Sequence, residues 1–214
     1  MASKSAPARA RRDAPEPQRC PWTGIADQEY TRYHDEEWGV PQGDARKLFE
    51  KMVLEGFQAG LSWLTILRKR DAFRAAFHDF DAERIARYTT RDVERLLGDA
   101  GIVRHRGKIE ATISNARAFV ALEEQRSFAG MLWQIARDNE TVRAPLVSLA
   151  DAAAETPASR AMSKTLKAAG FRFVGPTTMY AFMQSVGMVN DHLASCHRHD
   201  VCAALQRKFK PPKP

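Results

Sequence analysis

Apolar residues along the middle of this chain recur at three- and four-residue spacing, the period of a helix with one buried face. Over 44–59, Leu48, Met52, Glu55 and Ala59 fall on one helical stripe. Residues 62–79, 89–98, 105–124 and 127–138 repeat the pattern. Thr90 or Asp92 suits the opening of the helix at 89–98, and Gly101 lies just past its end. The stretch 141–158, interrupted by Pro145 and Pro157, reads as a loop with a short helical piece. Helices resume at 159–169, 176–188 and 191–204. No segment alternates cleanly at period two and there is no internal repeat. The expected fold class is all-α.

The two ends depart from this pattern. Residues 1–19 are rich in Ala, Pro and Arg and read as a disordered basic tail, and 206–214 as a second, frayed one. A single helical unit over 20–205 remains. Hydrophobic residues make up 44% of the 214, enough for a proper core. The formal net charge of +7 favours a polyanionic partner such as nucleic acid. No run of about 18 apolar residues exists, so no membrane span is expected. The N-terminus has no apolar leader, which points to a cytoplasmic protein. Three cysteines, an odd count, speak for free or metal-bound thiols in a reducing compartment over a disulfide framework.

Several local constellations carry chemistry. Glu55 shares its stripe with Leu48 and Met52. An inward carboxylate is either ion-paired or the anion of a pocket awaiting a cationic or proton-donating ligand. Trp22, Tyr33, Trp38 and Trp63 supply flat surfaces nearby in sequence, as core or as stacking platforms. Between two expected helices lies Gly170-Phe171-Arg172-Phe173-Val174-Gly175, followed by Pro176 and Thr177. Gly170 suits a left-handed helix C-cap and Pro176 a first helical turn. Such a loop is an ordinary αα-hairpin or a phosphate site built from backbone N–H groups at a helix N-terminus. His192 and Cys196, four apart on an expected helix, are half of a possible tetrahedral metal site, and Cys20 and His34 offer the other half. The alternative is a solvent-facing His with a buried thiol. His197, His199 and Cys202 crowd the same region.

Together these segments resemble the 3-methyladenine DNA glycosylase I family of the helix-hairpin-helix superfamily, from about Cys20 to Cys196. The matching blocks are CPW (20–22), YHDEEWGVP (33–41), LEGFQAGLSW (54–63), DAGIVRHRGKI (99–109) and GFRFVGPTTMYAFMQSVGMVNDH (170–192), with the closing Cys196. The resemblance implies two helical lobes around a DNA groove and a base pocket. It implies one structural zinc held by Cys20, His34, His192 and Cys196, and base recognition by Tyr33, Glu55 and Trp63 with Trp22 and Trp38 in the pocket wall. It further implies a phosphate-binding hairpin drawn from Gly170, Arg172, Val174, Gly175 and Thr177. The expected partner is double-stranded DNA with alkylated bases, and the expected state a monomer.

Two departures from the wider superfamily bear on mechanism. Asn190 stands where many relatives carry a catalytic Asp, and Thr177 stands where strand-cleaving relatives carry a Lys. Without that amine there is no Schiff-base nucleophile, so the expectation is a monofunctional glycosylase. The rival reading is a non-catalytic damage-binding protein that keeps hairpin and zinc; the pocket residues Tyr33, Glu55 and Trp63 count against it.

Overall fold

The structure, a computed structural model, describes residues 16–141 and 143–214. Among these all regular structure is helical, as the periodicity predicts. Residues 1–15 of the expected N-terminal tail lie outside the described residues.

The first helix, α1 (Gln28–Glu36), is one that the periodicity does not predict, because its nine residues are mostly polar or charged. It is set by its cap: the Asp27 carboxylate accepts from the amides of Glu29 and Tyr30. Helix α2 (Ala45–Gln58) begins at Asp44, which accepts from the Lys47 amide, and buries Leu48, Met52 and Glu55 together. The single helix expected over 62–79 is instead α3 (Trp63–Leu67), α4 (Arg70–Ala76) and a short 3-10 turn at His78–Phe80. His78, Asp79 and Phe80 all take left-handed backbone angles. The reversal brings Phe80 into the core, its ring stacked 5.8 Å from Phe77.

Helices α5 (Ala82–Ala86), α6 (Thr90–Gly98), α7 (Arg106–Glu123) and α8 (Phe128–Asp138) follow, each with a polar residue at its start. The cap of α6 is Thr89, whose amide and hydroxyl both donate to Asp92. Helix α9 (Pro157–Ala168) opens with Thr156 and Pro157, two residues earlier than the pattern suggests, and α10 (Pro176–Ser185) packs against it and α2. Helix α10 stops short of the expected residue 188. Gly187 has φ +70° and lies so close to the chain at Val40 and Pro41 that a Cβ would meet backbone at 2.5 Å. The buried apolar side chains of these helices form one continuous cluster, with Phe49, Phe57, Phe73 and Phe182 fully enclosed.

The C-terminal region differs most from expectation. The helix expected at 191–204 is a turn-rich segment through Arg198, and α11 runs His199–Lys208. The frayed tail expected from 206 is also not seen: α11 continues to Lys208 and the Phe209 ring packs 4.7 Å from Trp133.

Candidate functional site

Cys20, His34, His192 and Cys196 are all buried, and their donor atoms lie within 4.8 Å of one another. The helix expected to align His192 with Cys196 is absent, yet the turn that replaces it does the same work. His192 Nδ1 is 3.5 Å from Cys196 Sγ and 3.7 Å from Cys20 Sγ, and His34 Nε2 is 3.5 Å from Cys196 Sγ. The loop holds this shape because Asn190 accepts from the His192 amide and donates to the His199 carbonyl.

Each imidazole uses its other nitrogen on a fixed partner. His34 Nδ1 lies 2.7 Å from Asp35, and His192 Nε2 lies 3.0 Å from the Trp38 carbonyl. Asp35 also receives Arg19 and His197. Contact with Cys20 and, against the desolvation of burial, the two imidazoles hold the Cys196 thiol well below its usual range. Four soft or borderline donors, one prone to be thiolate, with both imidazoles oriented by Asp35 and the Trp38 carbonyl, could hold a metal ion. Cys202 is a separate buried free thiol.

A cleft of about 230 Å³ opens beside this cluster, lined by Trp22, Tyr30, Tyr33, Trp38, Glu55 and Trp63, with Gln184 and Asp191 at its other side. The rings form a connected wall. Trp22 lies 4.7 Å from Trp38 and 6.5 Å from Tyr33, and Tyr33 lies 5.4 Å from Trp63. The wall leans on the Cys/His group, since the Trp38 ring is 4.5 Å from His192 and the Trp22 ring 4.8 Å from His34. All five expected pocket residues therefore meet in one place.

Glu55 is only 5% exposed, and burial raises its carboxyl above the ordinary range against the pull of a neighbouring cation. That cation is Lys51, a residue the sequence reading did not single out, although its i, i+4 relation to Glu55 was there to be read. Its Nζ is 3.4 Å from Glu55 Oε1, 2.7 Å from the Tyr33 hydroxyl and 3.4 Å above the centre of the Trp63 ring. Burial pulls Lys51 down to about 8 although Glu55 opposes this. Burial, and then Glu55, also push the Tyr33 phenol well above its usual value. The buried Trp63 Nε1 has no hydrogen-bond partner among the described residues.

Asp191, on the far wall, is fully engaged. Oδ1 accepts from Arg143 at 2.9 Å, while Oδ2 accepts from Gln184 at 2.7 Å and from the Tyr180 hydroxyl. Held by these three contacts, the carboxylate braces the wall of the cleft.

The hairpin packs on α2 at Gly56, where a Cβ would meet Phe173 at 3.3 Å. Gly170, φ +92°, follows α9 in the left-handed geometry expected of it. Gly175 is the N-cap residue of α10, whose first turn has no side-chain cap. Val174 is buried while Arg172 and Thr177 face solvent. Asn115 of α7 clamps the loop from both sides: its Oδ1 accepts from the Arg172 amide at 2.7 Å and its Nδ2 donates to the Arg172 carbonyl at 3.0 Å.

Among the described residues, then, a helical frame holds a buried carboxylate in an aromatic cleft, a Cys/His group beside it and a hairpin between α9 and α10. The family profile of methyladenine glycosylases matches residues 22–199, and the chain belongs to that family. It is 49% identical over 180 residues to DNA-3-methyladenine glycosylase 1 of Escherichia coli (strain K12), covering 84% of this chain and 95% of that protein. Among solved structures, a 3-methyladenine DNA glycosylase I superposes with TM-score 0.81 at 53% identity, over 85% of this chain and all of the other. A variant of 3-methyladenine DNA glycosylase I in complex with 3-methyladenine superposes with TM-score 0.77 at 36% identity, over 81% of this chain and 93% of the other.

Proposed function

We propose that this chain excises 3-methyladenine from duplex DNA by hydrolysing its N-glycosidic bond, as a monofunctional enzyme of base excision repair. The observation that carries this reading is Glu55: a carboxylate 5% exposed, inside a cleft walled by aromatic rings, where a positive charge is stabilised. Methylation at N3 gives adenine such a charge and weakens its bond to the sugar, so the base departs neutral with little need of acid catalysis. The base must first leave the stack and enter the cleft. Glu55 accepts hydrogen bonds from the base edge, Tyr33 orients it, Trp63 stacks on it, and Trp22 and Trp38 complete the wall. Neutral adenine forgoes most of the cation–π gain, about 2 kcal/mol when desolvated.

The hairpin residues Gly170, Arg172, Val174, Gly175 and Thr177 fit a phosphate contact. Free N–H groups and the positive end of α10 attract an anion, and Arg172 adds a charge-assisted bond. Thr177, at the position of the lyase lysine, offers no amine for strand cleavage. The two helical lobes and the groove between them belong to this same reading, as does action as a monomer.

The Cys/His group fits zinc. Bond lengths of about 2.3 Å to sulfur and 2.0–2.1 Å to nitrogen put tetrahedral S···N edges at about 3.6 Å. Three of the four S···N separations run from 3.5 to 3.7 Å. Cys20, His34, His192 and Cys196 would hold the ion, which fastens the N- and C-terminal segments together. Four protein ligands leave no position for hydrolysis, so the role is structural.

The test is incubation of the protein with methylated duplex DNA and chromatography of what is released. Free 3-methyladenine with intact strands is the expected product. DNA binding with no released base would instead identify a damage-binding protein.

A further inference from the structure

Lys51 occupies the charge-recognition groups of the cleft, and we propose that it is an internal cation competing with the charged base for Glu55, so that it sets the affinity of the site. The inference rests on the reading of Glu55, Tyr33 and Trp63 as the base-recognition groups. The Lys51 ammonium makes one contact with each of them: 3.4 Å to the Glu55 carboxylate, 2.7 Å to the Tyr33 hydroxyl and 3.4 Å to the Trp63 ring centre. These are the contacts a cationic purine edge would seek. Its side chain is 12% exposed, so its charge is weakly screened and a second cation placed beside it is repelled.

Other charges around Lys51 do not release Glu55 from this pairing. From α1 and its C-cap, Glu36 and Glu37 face the same space as Tyr33; from α2, Lys47 and Glu50; from α4, Arg70 and Arg74. Glu37 is already bound to Arg70 at 2.5 Å, and Glu50 to Arg74 at 2.8 Å. Among the described residues, Glu55 is the one carboxylate in direct contact with Lys51. A cationic base therefore gains the whole of Glu55 only when Lys51 withdraws or gives up its proton. Withdrawal has room: a cavity of about 320 Å³, lined by Lys51 and these charged groups, lies beside Tyr33 and Trp63. Proton loss is within reach because burial holds Lys51 at about 8. Below that pH the lysine is charged and competes. Above it the competition is lifted.

The experiment is calorimetric titration with 3,9-dimethyladeninium, whose charge is fixed by alkylation at N3 and N9. The proteins are wild type, Lys51→Met and Lys51→Arg. At about pH 7 Lys51→Met should bind roughly fivefold tighter than wild type. Wild type should tighten at least about threefold between pH 7 and 9.5, while Lys51→Arg, charged throughout, stays within about twofold. Equal or weaker binding by a folded Lys51→Met at pH 7, or the same pH rise in Lys51→Arg as in wild type, overturns the proposal. If Lys51→Met does not fold, the comparison of wild type with Lys51→Arg still decides. Base release from methylated DNA by wild type, run in parallel, separates the two readings. Its absence sinks the glycosylase reading, whereas release without the predicted binding pattern sinks only the role of Lys51.

Discussion

Glu55 is a carboxylate held where water solvates it poorly, and a buried anion is tolerated only where something charged or hydrogen-bonding meets it. In this protein Lys51 meets it at 3.4 Å, and in the proposed reaction the methylated base does. Glu55→Gln keeps the shape of the side chain and removes its charge. Hydrogen bonds to a charged group contribute about 1.5–3 kcal/mol, so this variant should lose roughly 10- to 100-fold in single-turnover excision of 3-methyladenine, with its metal content unchanged. Excision at the wild-type rate would remove Glu55 from recognition. At this scale the sequence is informative where a residue breaks a pattern: Glu55 stands out on an apolar stripe. Lys51 does not, because a lysine beside a glutamate is the commonest of helix surface pairs, and nothing in the spacing says that this one faces inward. Nor does the spacing mark Asp191, whose contacts with Arg143, Tyr180 and Gln184 exist only once the chain near Arg143 meets the end of α10.

Among the elements, α6, α8 and α9 were legible because each has a capping side chain and a periodic apolar face. The failures share a cause. Over 62–79 the helical period continues through two breaks, since a chain that turns to stack Phe73, Phe77 and Phe80 needs the same spacing of aromatics as one that does not. At 191–198 a turn stabilised by Asn190 delivers His192 and Cys196 to one point without a helix, so spacing gave the right pair for the wrong reason. The α9–α10 loop makes a prediction of its own. Because Asn115 fixes its backbone, Arg172 is presented to solvent on a rigid support. Arg172→Ala should weaken DNA binding about equally for methylated and unmethylated duplexes and lower the slope of log K against log salt by about 1. An unchanged slope, measured by fluorescence anisotropy across salt, would take Arg172 off the phosphate backbone.

For the molecule as a whole, the Cys/His group joins residues 20–34 to residues 192–196, segments that α2 through α10 separate in sequence. Removing one ligand should cost more than a lost contact, since the ion would stabilise the folded chain only. Cys196→Ala is expected to lose its zinc by elemental analysis and about 3 kcal/mol of stability, which lowers Tm by roughly 6–12 °C in a domain of this size. Wild-type metal content would exclude Cys196 as a ligand. Both ends of this link were visible in the sequence as Cys and His at workable spacings. Their convergence was not, because nothing local brings residue 20 to residue 196.

The Trp38 backbone accepts from His192 while its ring helps wall the cleft, so the same residue belongs to the fastening and to the recognition surface. Loss of the zinc proposed for the Cys/His group would then slacken the cleft wall and the link between the chain's two ends together, so excision and thermal stability should fall in step.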